Sequence, residues 1–184
     1  MGFDAKGTRN YCSKSKDGKY QFILARAKDI PAYVEAGIAD IGITGNDIYN
    51  EAGREITLLT KLPFGYCRLV YATKTNNGYA PKRIATAFPN LARKYLDRKG
   101  LAAEIVVLDG AVEASVAAGM ADAVIDLTST GKTLAENDLM IRDELLCSSA
   151  VIIANTKALA SKKQKLAIAL NALAPSAASE ECPV

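Results

Sequence analysis

Short apolar runs with strand character alternate with segments of helical periodicity along most of the sequence. The clearest unit has a strand over 83–86, apolar positions on one helix face between 91 and 96, and a second strand over 104–108. A short helix and a strand over 123–126 follow. This alternation predicts an α/β fold with mostly parallel sheets. Further strands are expected over 20–25, 41–45, 69–72 and 150–154, and further helices over 29–37 and 159–173.

One helix–turn–strand pattern occurs twice. Residues 34–44 read VEAGIADIGIT and residues 116–126 read VAAGMADAVID, so six of the eleven positions are identical. One interpretation is that any helix-to-strand connection of an α/β protein has this composition. The other is that the chain forms two similar lobes, each presenting strand ends to a shared cleft, where open α/β sheets bind ligands.

The composition excludes several kinds of catalysis. The chain contains no histidine, which rules out Ser-His-Asp and Cys-His mechanisms and every metal site with a histidine ligand. The net charge is only +3, from 23 Lys+Arg and 20 Asp+Glu residues. Such a balance does not indicate binding to nucleic acid or to a membrane surface. Chemistry must come from carboxylates, hydroxyls, basic side chains, backbone amides and a bound ion.

The cysteines and the amino terminus favour a cytoplasmic protein. No two cysteines form a CxxC pair, so a zinc ribbon or thioredoxin-type site is excluded, and we expect reduced thiols. The first residues contain no apolar signal-peptide core, and no run approaches the roughly 20 residues that span a bilayer. The cysteines are Cys12, Cys67, Cys147 and Cys182.

The segment 126–134, DLTSTGKTL, is the most informative for function. A buried strand ends in the carboxylate of Asp126 and continues into a hydroxyl-rich loop with one glycine. Thr133 is placed to cap a helix, and Glu136 would complete a capping box. Amides at a helix start suit a phosphate, as do the hydroxyls and Lys132. The alternative is an ordinary capped helix. A nucleotide P-loop is excluded, because Asp126 stands where that motif needs glycine.

Several motifs together resemble the catalytic chain of the ATP phosphoribosyltransferase family, from about residue 7 to residue 165. The resemblance implies a two-lobed α/β fold like that of type II periplasmic binding proteins, with mostly parallel sheets and a cleft between the lobes. Lobe I would comprise 1–66 and 150–184, and lobe II, with the phosphoribosyl-pyrophosphate loop, 67–149. The motifs are RAKDIPAYVE (26–35), ADIGITGND (39–47), CRLV (67–70), RIAT (83–86), PNLA (89–92), GAVE (110–113), GMAD (119–122) and DLTSTGKTL (126–134).

The resemblance also implies an activity. Members transfer phosphoribosyl from 5-phosphoribosyl-1-pyrophosphate (PRPP) to N1 of ATP, giving phosphoribosyl-ATP and pyrophosphate in the first step of histidine biosynthesis. The chain would be an ATP-binding pentosyltransferase with substrate-bound Mg²⁺. A displacement at an anomeric carbon needs no protein nucleophile, which agrees with a chain without histidine. The length resembles the short form, which implies a homodimer and a regulatory subunit similar to histidyl-tRNA synthetase.

By resemblance, the loop binds the 5-phosphate and Asp126 binds the ribose hydroxyls. Glu113 either meets a ribose hydroxyl or a Mg²⁺-bound water, or is a solvated carboxylate at a helix start. No protein ligand to a metal is identified. The loop residues expected to contact substrate are Thr128, Ser129, Thr130, Gly131, Lys132 and Thr133.

Four further residues are expected near the substrates, each with a structural alternative. Arg26, at the end of a predicted buried strand, would reach the pyrophosphate bidentately, or it pairs with Asp29 on the surface. Thr86 contacts substrate phosphates or caps a helix. Asn46 and Asp47 face the cleft from a turn, or form a helix N-terminus.

The sequence departs from the family pattern in two places. Family members begin with a strand, a Lys-Gly-Arg-Leu loop and a helix before the segment that matches here, and by comparison this chain starts roughly 40 residues late. We therefore expect lobe I to lack that strand and to expose a strand edge. In addition, Ala111 stands where serine is frequent, and residues 115–116 are Ser-Val where Ala-Pro is frequent. The alternative function is therefore an N-terminally truncated or degenerate, non-catalytic two-lobed small-molecule-binding protein.

Overall fold

A computed structural model describes residues 11–74, 80–162, 166–168 and 170–171. Within these residues the chain forms two compact units. Unit 1 contains 11–49, 53–62 and the described residues from 150 onwards, and unit 2 contains 50–52, 63–74 and 80–149. The elements are β1 (Cys12–Lys14), β2 (Gln21–Ile23), α1 (Ile30–Glu35), β3 (Ile41–Gly45), α2 (Asn46–Ala52), β4 (Ile56–Lys61), β5 (Cys67–Lys74), β6 (Arg83–Thr86), α3 (Pro89–Lys99), β7 (Glu104–Val107), α4 (Ala114–Ala117), β8 (Ala123–Thr128), α5 (Lys132–Glu136), β9 (Leu139–Ser148), β10 (Ala150–Asn155) and α6 (Thr156–Ser161).

Unit 1 is organised around a three-stranded sheet in the order β3-β10-β4, in which β10 runs antiparallel to both neighbours. Helix α1 contributes Val34 to a core with Val151 and Ile153 of β10. Asn155 ends β10, and its side-chain amide donates to the Val34 carbonyl (2.8 Å) while its oxygen accepts from the Ala158 amide (2.9 Å). One side chain therefore caps α6 and fixes the end of α1. A separate antiparallel pair joins β1 to β2.

Unit 2 contains a five-stranded mixed sheet in the order β7-β6-β8-β5-β9. Strand β6 is parallel to β7 and β8, whereas β5 is antiparallel to β8 and β9. Strand β5 buries Leu69 and Tyr71 in the core beneath α3, and Val70 and Ala72 in the core that includes α4 and α5 residues. This alternation follows from the two-residue period of a strand, and it explains why both sheet faces are apolar.

The α/β class is confirmed, but the prediction of mostly parallel sheets is wrong. Only the β6–β7 and β6–β8 pairs are parallel among the strand pairs of the described residues. The strands that carry the chain into and out of unit 2 are β5 and β9, and the strand that re-enters unit 1 is β10. All three run antiparallel to their neighbours. Helix–strand alternation predicts the βαβ part correctly but carries no information on these connecting strands.

Two further expectations differ from the structure. The strand expected to be buried over 20–25 is a three-residue strand of the small two-stranded sheet, with Leu24 beyond it 51% exposed. Cys147 is disulfide-bonded rather than reduced, whereas Cys12 and Cys67 are free. The helix expected over 159–173 falls partly outside the described residues. Among the described helices, none has the length and apolar character needed to cross a membrane.

Candidate active site

Three parallel strands of unit 2 end at one edge of the sheet. Because β7, β6 and β8 run in the same direction, the segments that follow Val107, Thr86 and Thr128 emerge at this edge. Carboxyl ends of parallel strands are the usual ligand-binding edge of α/β sheets. The topology thus gathers Thr86, Glu113 and the hydroxyl-rich loop in one region of unit 2.

The loop between β8 and α5 is held by its own hydroxyls. The Gly131 amide donates to Thr128 Oγ1 (2.7 Å), and the Lys132 amide lies 3.4 Å from Thr130 Oγ1. Gly131 has φ +77°, a left-handed conformation that favours glycine. Ser129 Oγ donates to the Tyr66 carbonyl (3.5 Å), which attaches the loop to the start of β5.

The outer surface of this loop is available to a ligand. The side chains of Ser129, Thr130, Lys132 and Thr133 are exposed. The amides of Ser129, Thr130 and Thr133 donate to no acceptor within the described part of the chain. Lys132 Nζ lies 3.8 Å from Glu136 on the same helix, in a solvated pair of little energetic weight. Hydroxyls, amides and a mobile cation at one exposed turn form a donor set for phosphate oxygens.

The helix after the loop does not begin as predicted. The N-cap position of α5 is Gly131, no side chain caps the helix, and Thr133 is its second residue. The expected capping box between Thr133 and Glu136 is therefore wrong. Because Thr128 already satisfies the Gly131 amide, the chain turns into the helix two residues earlier than the sequence indicates.

Asp126 lies on β8, two residues before the end of the strand, and its pKa responds to the charge of a second carboxylate. Its Oδ1 accepts from the Leu127 amide (2.8 Å). Burial raises the pKa of Asp126 above its ordinary value; the Leu127 amide opposes this rise, and the charge of Glu113 adds to it. Glu113 immediately precedes α4, is partly exposed and makes no capping bond. The two carboxylates that the sequence singled out in this unit therefore interact electrostatically.

Thr86 ends β6 with no exposed surface. Its Oγ1 accepts from the Phe88 amide (2.9 Å), so it stabilises the turn into α3. The N-cap position is Phe88, so Thr86 is not the helix cap either. A contact of Thr86 with substrate stays a prediction, which this placement does not favour.

The remaining predicted site residues belong to unit 1. Arg26 is exposed in the turn before α1, and its guanidinium makes no ion pair with Asp29 or any other described residue. Asn46 and Asp47 are buried in the first turn of α2, whose N-cap is Gly45. The Asp47 carboxylate lies against the α-carbon of Gly45 and leaves no room there for a side chain.

Sequence reasoning missed two groups that hold these segments. The Tyr66 carbonyl, which accepts from Ser129, has no sequence signature because any residue carries a carbonyl. Thr44, on β3, donates from Oγ1 to the Ala27 carbonyl (2.9 Å) and so fixes the turn that carries Arg26. A buried polar residue within an apolar strand such as IGITG was the signal that could have identified it.

Fold and site together define a two-lobed α/β protein of the type II periplasmic-binding-protein class that carries an exposed, hydroxyl-lined loop at a sheet edge. The fold is shared with the alkanesulfonate-binding protein SsuA from Xanthomonas axonopodis pv. citri, at a TM-score of 0.54 and 15% identity over 80% of this chain and 58% of that chain. At this identity the likeness shows the fold alone.

Sequence relationships give the family. The family model for ATP phosphoribosyltransferase (HisG) matches residues 26–174. The ATP phosphoribosyltransferase of Bacillus mycoides (strain KBAB4) is 40% identical over 161 residues, or 86% of this chain and 76% of the relative. The solved ATP phosphoribosyl transferase (HisG:HisZ) complex from Thermotoga maritima matches with a TM-score of 0.83 and 32% identity over 91% of this chain and 84% of that chain. The chain belongs to the ATP phosphoribosyltransferase family, pentosyltransferases that act in histidine biosynthesis.

Proposed function

We propose that the loop 126–133 of this chain binds PRPP for transfer of its phosphoribosyl group to N1 of ATP. The observation that supports the assignment is the loop itself, which presents exposed hydroxyls and amides without acceptors next to the half-buried carboxylate of Asp126. In this proposal the loop donors bind the 5-phosphate, and Asp126 accepts hydrogen bonds from the ribose hydroxyls. Arg26 contacts the pyrophosphate, and Glu113 contacts a ribose hydroxyl.

The reaction places specific demands on these residues. The bond between the anomeric carbon and the pyrophosphate oxygen breaks, and its electron pair leaves with pyrophosphate. The N1 lone pair of adenine forms the new carbon–nitrogen bond, and the exocyclic amino group releases a proton to solvent. Because positive charge develops on the ribose, the carboxylate of Asp126 next to the ring stabilises that charge. The loop holds the 5-phosphate end of PRPP, which restricts the positions that the anomeric carbon can take.

A substrate-bound Mg²⁺ fits the described residues better than a protein-held ion. Within the described part of the chain, no cluster of three or more candidate ligands exists. In this proposal phosphate oxygens and waters supply the ligands of the ion, as is common for Mg²⁺ bound together with a phosphate substrate. When bound, the ion would neutralise the departing pyrophosphate.

The proposal includes a regulatory partner, a homodimer and a cytoplasmic location. The solved relative from Thermotoga maritima is a HisG:HisZ complex, and we propose that this chain likewise pairs with a regulatory subunit similar to histidyl-tRNA synthetase. The proposed cytoplasmic location rests on the substrates, because the cytoplasm supplies ATP and PRPP.

Pyrophosphate release in the presence of PRPP, ATP and Mg²⁺ tests the proposed activity. The chain is assayed alone and with the HisZ-type subunit, and each substrate is omitted in turn as a control. We expect release only when both substrates are present, with phosphoribosyl-ATP as the second product. A folded chain that binds PRPP in calorimetry but releases no pyrophosphate in any combination would be a non-catalytic binding protein and would overturn the assignment.

A further inference from the structure

Thr44 connects two segments of unit 1 that carry predicted substrate contacts. Its hydroxyl donates to the carbonyl of Ala27, 17 residues earlier in the chain, at 2.9 Å. Ala27 follows Arg26 in a turn closed by the Asp29 amide, which donates to the Arg26 carbonyl (2.9 Å). On its other side, Thr44 is one residue from Gly45, where α2 with Asn46 and Asp47 begins.

The surroundings of Thr44 show why this hydrogen bond determines the position of the Arg26 turn. Thr44 is only 5% exposed, so its hydroxyl needs a protein partner, because a buried hydroxyl without one destabilises the fold. Strand β3 is rigidly held, because residues 41–45 pair in unbroken register with β10. The Arg26 turn, in contrast, is exposed from residue 26 to residue 29 and lies outside any strand. The hydrogen bond from Thr44 to Ala27 therefore attaches an exposed turn to a strand that the sheet holds in place.

We infer that Thr44 is a positioning residue for the phosphoribosyl transfer: its hydroxyl fixes the turn that presents Arg26 to the pyrophosphate of PRPP. The inference rests on the proposed role of Arg26. Thr44 itself contacts no substrate in this assignment and acts through the Ala27 carbonyl. Arg26 is a long side chain with four rotatable bonds and no ion pair among the described residues, so its backbone anchor determines where the guanidinium can reach.

The test compares variants of matched size. Thr44→Val removes the hydroxyl and keeps the shape, and Thr44→Ser keeps the hydroxyl. Thr57→Val is the control for the same change in the same sheet, because among the described residues the Thr57 hydroxyl shares one exposed hydrogen bond, with Thr156 Oγ1 (3.1 Å). We expect Thr44→Val to raise the KM for PRPP about tenfold with a much smaller change in kcat. We expect Thr44→Ser to restore most of the affinity and Thr57→Val to have no effect.

A double-mutant cycle with Arg26→Ala separates positioning from general destabilisation. If Thr44 acts through Arg26, Thr44→Val adds less than a twofold rise in KM when Arg26 is already alanine. A full, additive tenfold rise in that background would show that Thr44 does not act through Arg26. Faster amide hydrogen exchange over residues 24–30 in Thr44→Val is the expected structural signature.

The remaining outcomes distinguish the positioning role of Thr44 from the proposed contact of Arg26 with pyrophosphate. An unchanged KM for PRPP in Thr44→Val, alongside a raised KM in Arg26→Ala, would overturn the positioning role and leave the substrate contact intact. An unchanged KM in Arg26→Ala would instead overturn the proposed contact of Arg26 with pyrophosphate. In that case, faster exchange in Thr44→Val would show that the anchor exists but serves another purpose than the reaction.

Discussion

The two sequence repeats, 34–44 in unit 1 and 116–126 in unit 2, form the same backbone structure to the level of single hydrogen bonds. In the first repeat the amides of Ile38 and Ala39 both donate to the carbonyl of Tyr33. In the second, the amides of Met120 and Ala121 both donate to the carbonyl of Ser115. The turn glycines at the fourth position of the repeats, Gly37 and Gly119, have φ +70° and +73°. The similarity of the two segments is therefore structural as well as compositional.

The repeats differ in their final residue. The eleventh position is Thr44 in the first repeat and Asp126 in the second. Thr44 is buried and bonds to a neighbouring turn, whereas Asp126 is a half-buried carboxylate next to an exposed loop. Strand β3 continues directly into α2, while β8 is followed by residues 129–131 before α5 begins. The same backbone structure thus places a buried hydroxyl at the eleventh position in unit 1 and a carboxylate at that position in unit 2.

Replacing the acidic end of the second repeat should have the largest effect. Asp126→Asn keeps the acceptor for the Leu127 amide but removes the charge next to the ribose. Hydrogen bonds to charged groups contribute about 1.5–3 kcal/mol, so we expect kcat to fall about 10- to 100-fold in steady-state assays. Thermal unfolding should show a melting temperature equal to or above that of the parent chain at neutral pH. A large drop in melting temperature would indicate that Asp126 has a structural role instead.

The pH dependence of the same variant provides an independent check. The native pKa of Asp126 is raised, first by burial and then by Glu113, so the native state holds this proton more tightly than the unfolded state. The resulting stability is fully present below the ordinary pKa near 3.8 and is lost as pH rises through the raised native value. Urea unfolding should therefore show Asp126→Asn gaining stability over the parent as pH increases from about 4 to 7.5. A pH-independent difference would contradict this.

The ninth position of the repeats should respond to a change in side-chain volume. It is Gly42 in the first repeat and Val124, fully buried, in the second. A Cβ at Gly42 would lie 2.5 Å from Ile30 Cγ2 and 2.9 Å from Val34 Cγ2. We expect Gly42→Ala to destabilise the chain by about 1–3 kcal/mol through overpacking. Urea unfolding measures this loss of stability.

The matched change in the second repeat is Val124→Ala, which leaves a cavity and should cost a similar amount, about 2 kcal/mol. An unchanged or increased stability of Gly42→Ala would show that α1 moves away from β3 at no cost. The difference between the two repeats would then have no basis in packing.

The loop that follows only the second repeat provides the next test. Thr130→Ala combined with Gly131→Ala removes a donor and forces a left-handed alanine, which costs about 1–2 kcal/mol. We expect PRPP binding measured by calorimetry to weaken at least tenfold, or about 1.4 kcal/mol. Gly100→Ala is the control, because Gly100 has φ +64° at the end of α3 and nothing lies near its Cβ position. Equal PRPP affinities in both variants would contradict the loop assignment.

Local patterns predicted the parts of the molecule that local interactions determine. The βαβ segment from β6 to β7 and the strand over 150–154 are present as expected, because apolar periodicity reports burial on a sheet. The prediction of a buried strand over the apolar run 20–25 is wrong, since Leu24 is exposed. A short apolar run does not reveal whether other strands cover it. Strand direction in β5 and β9 depends on pairing between distant segments, which composition does not encode.

The candidate site shows the same division. The strand that carries Asp126 follows from adjacent residues and is present in the structure, but it ends at Thr128, two residues later than the sequence indicates. The start of α5 was placed too late, since three consecutive hydroxyl residues and a glycine offer several caps, and the bond from Gly131 to Thr128 decides among them. The Thr44–Ala27 bond joins residues that become neighbours only when β3 packs beside the turn. No pattern within one segment predicts such a contact.

The seventh position of the repeats should show the smallest but most discriminating difference. Asp122 Oδ2 accepts from the amides of Lys82 and Arg83 (both 2.9 Å), whereas Asp40 forms a solvated ion pair with Lys162 (2.9 Å). We expect Asp122→Ala to cost about 1–2 kcal/mol, because two amides at the start of β6 lose their acceptor. We expect Asp40→Ala to cost about 0–0.5 kcal/mol, as is usual for exposed pairs. Urea unfolding at low and high salt measures both. Equal losses of stability in the two variants would mean that the aspartate stabilises the turn that both repeats share. Its bonds to the Lys82 and Arg83 amides would then contribute nothing extra.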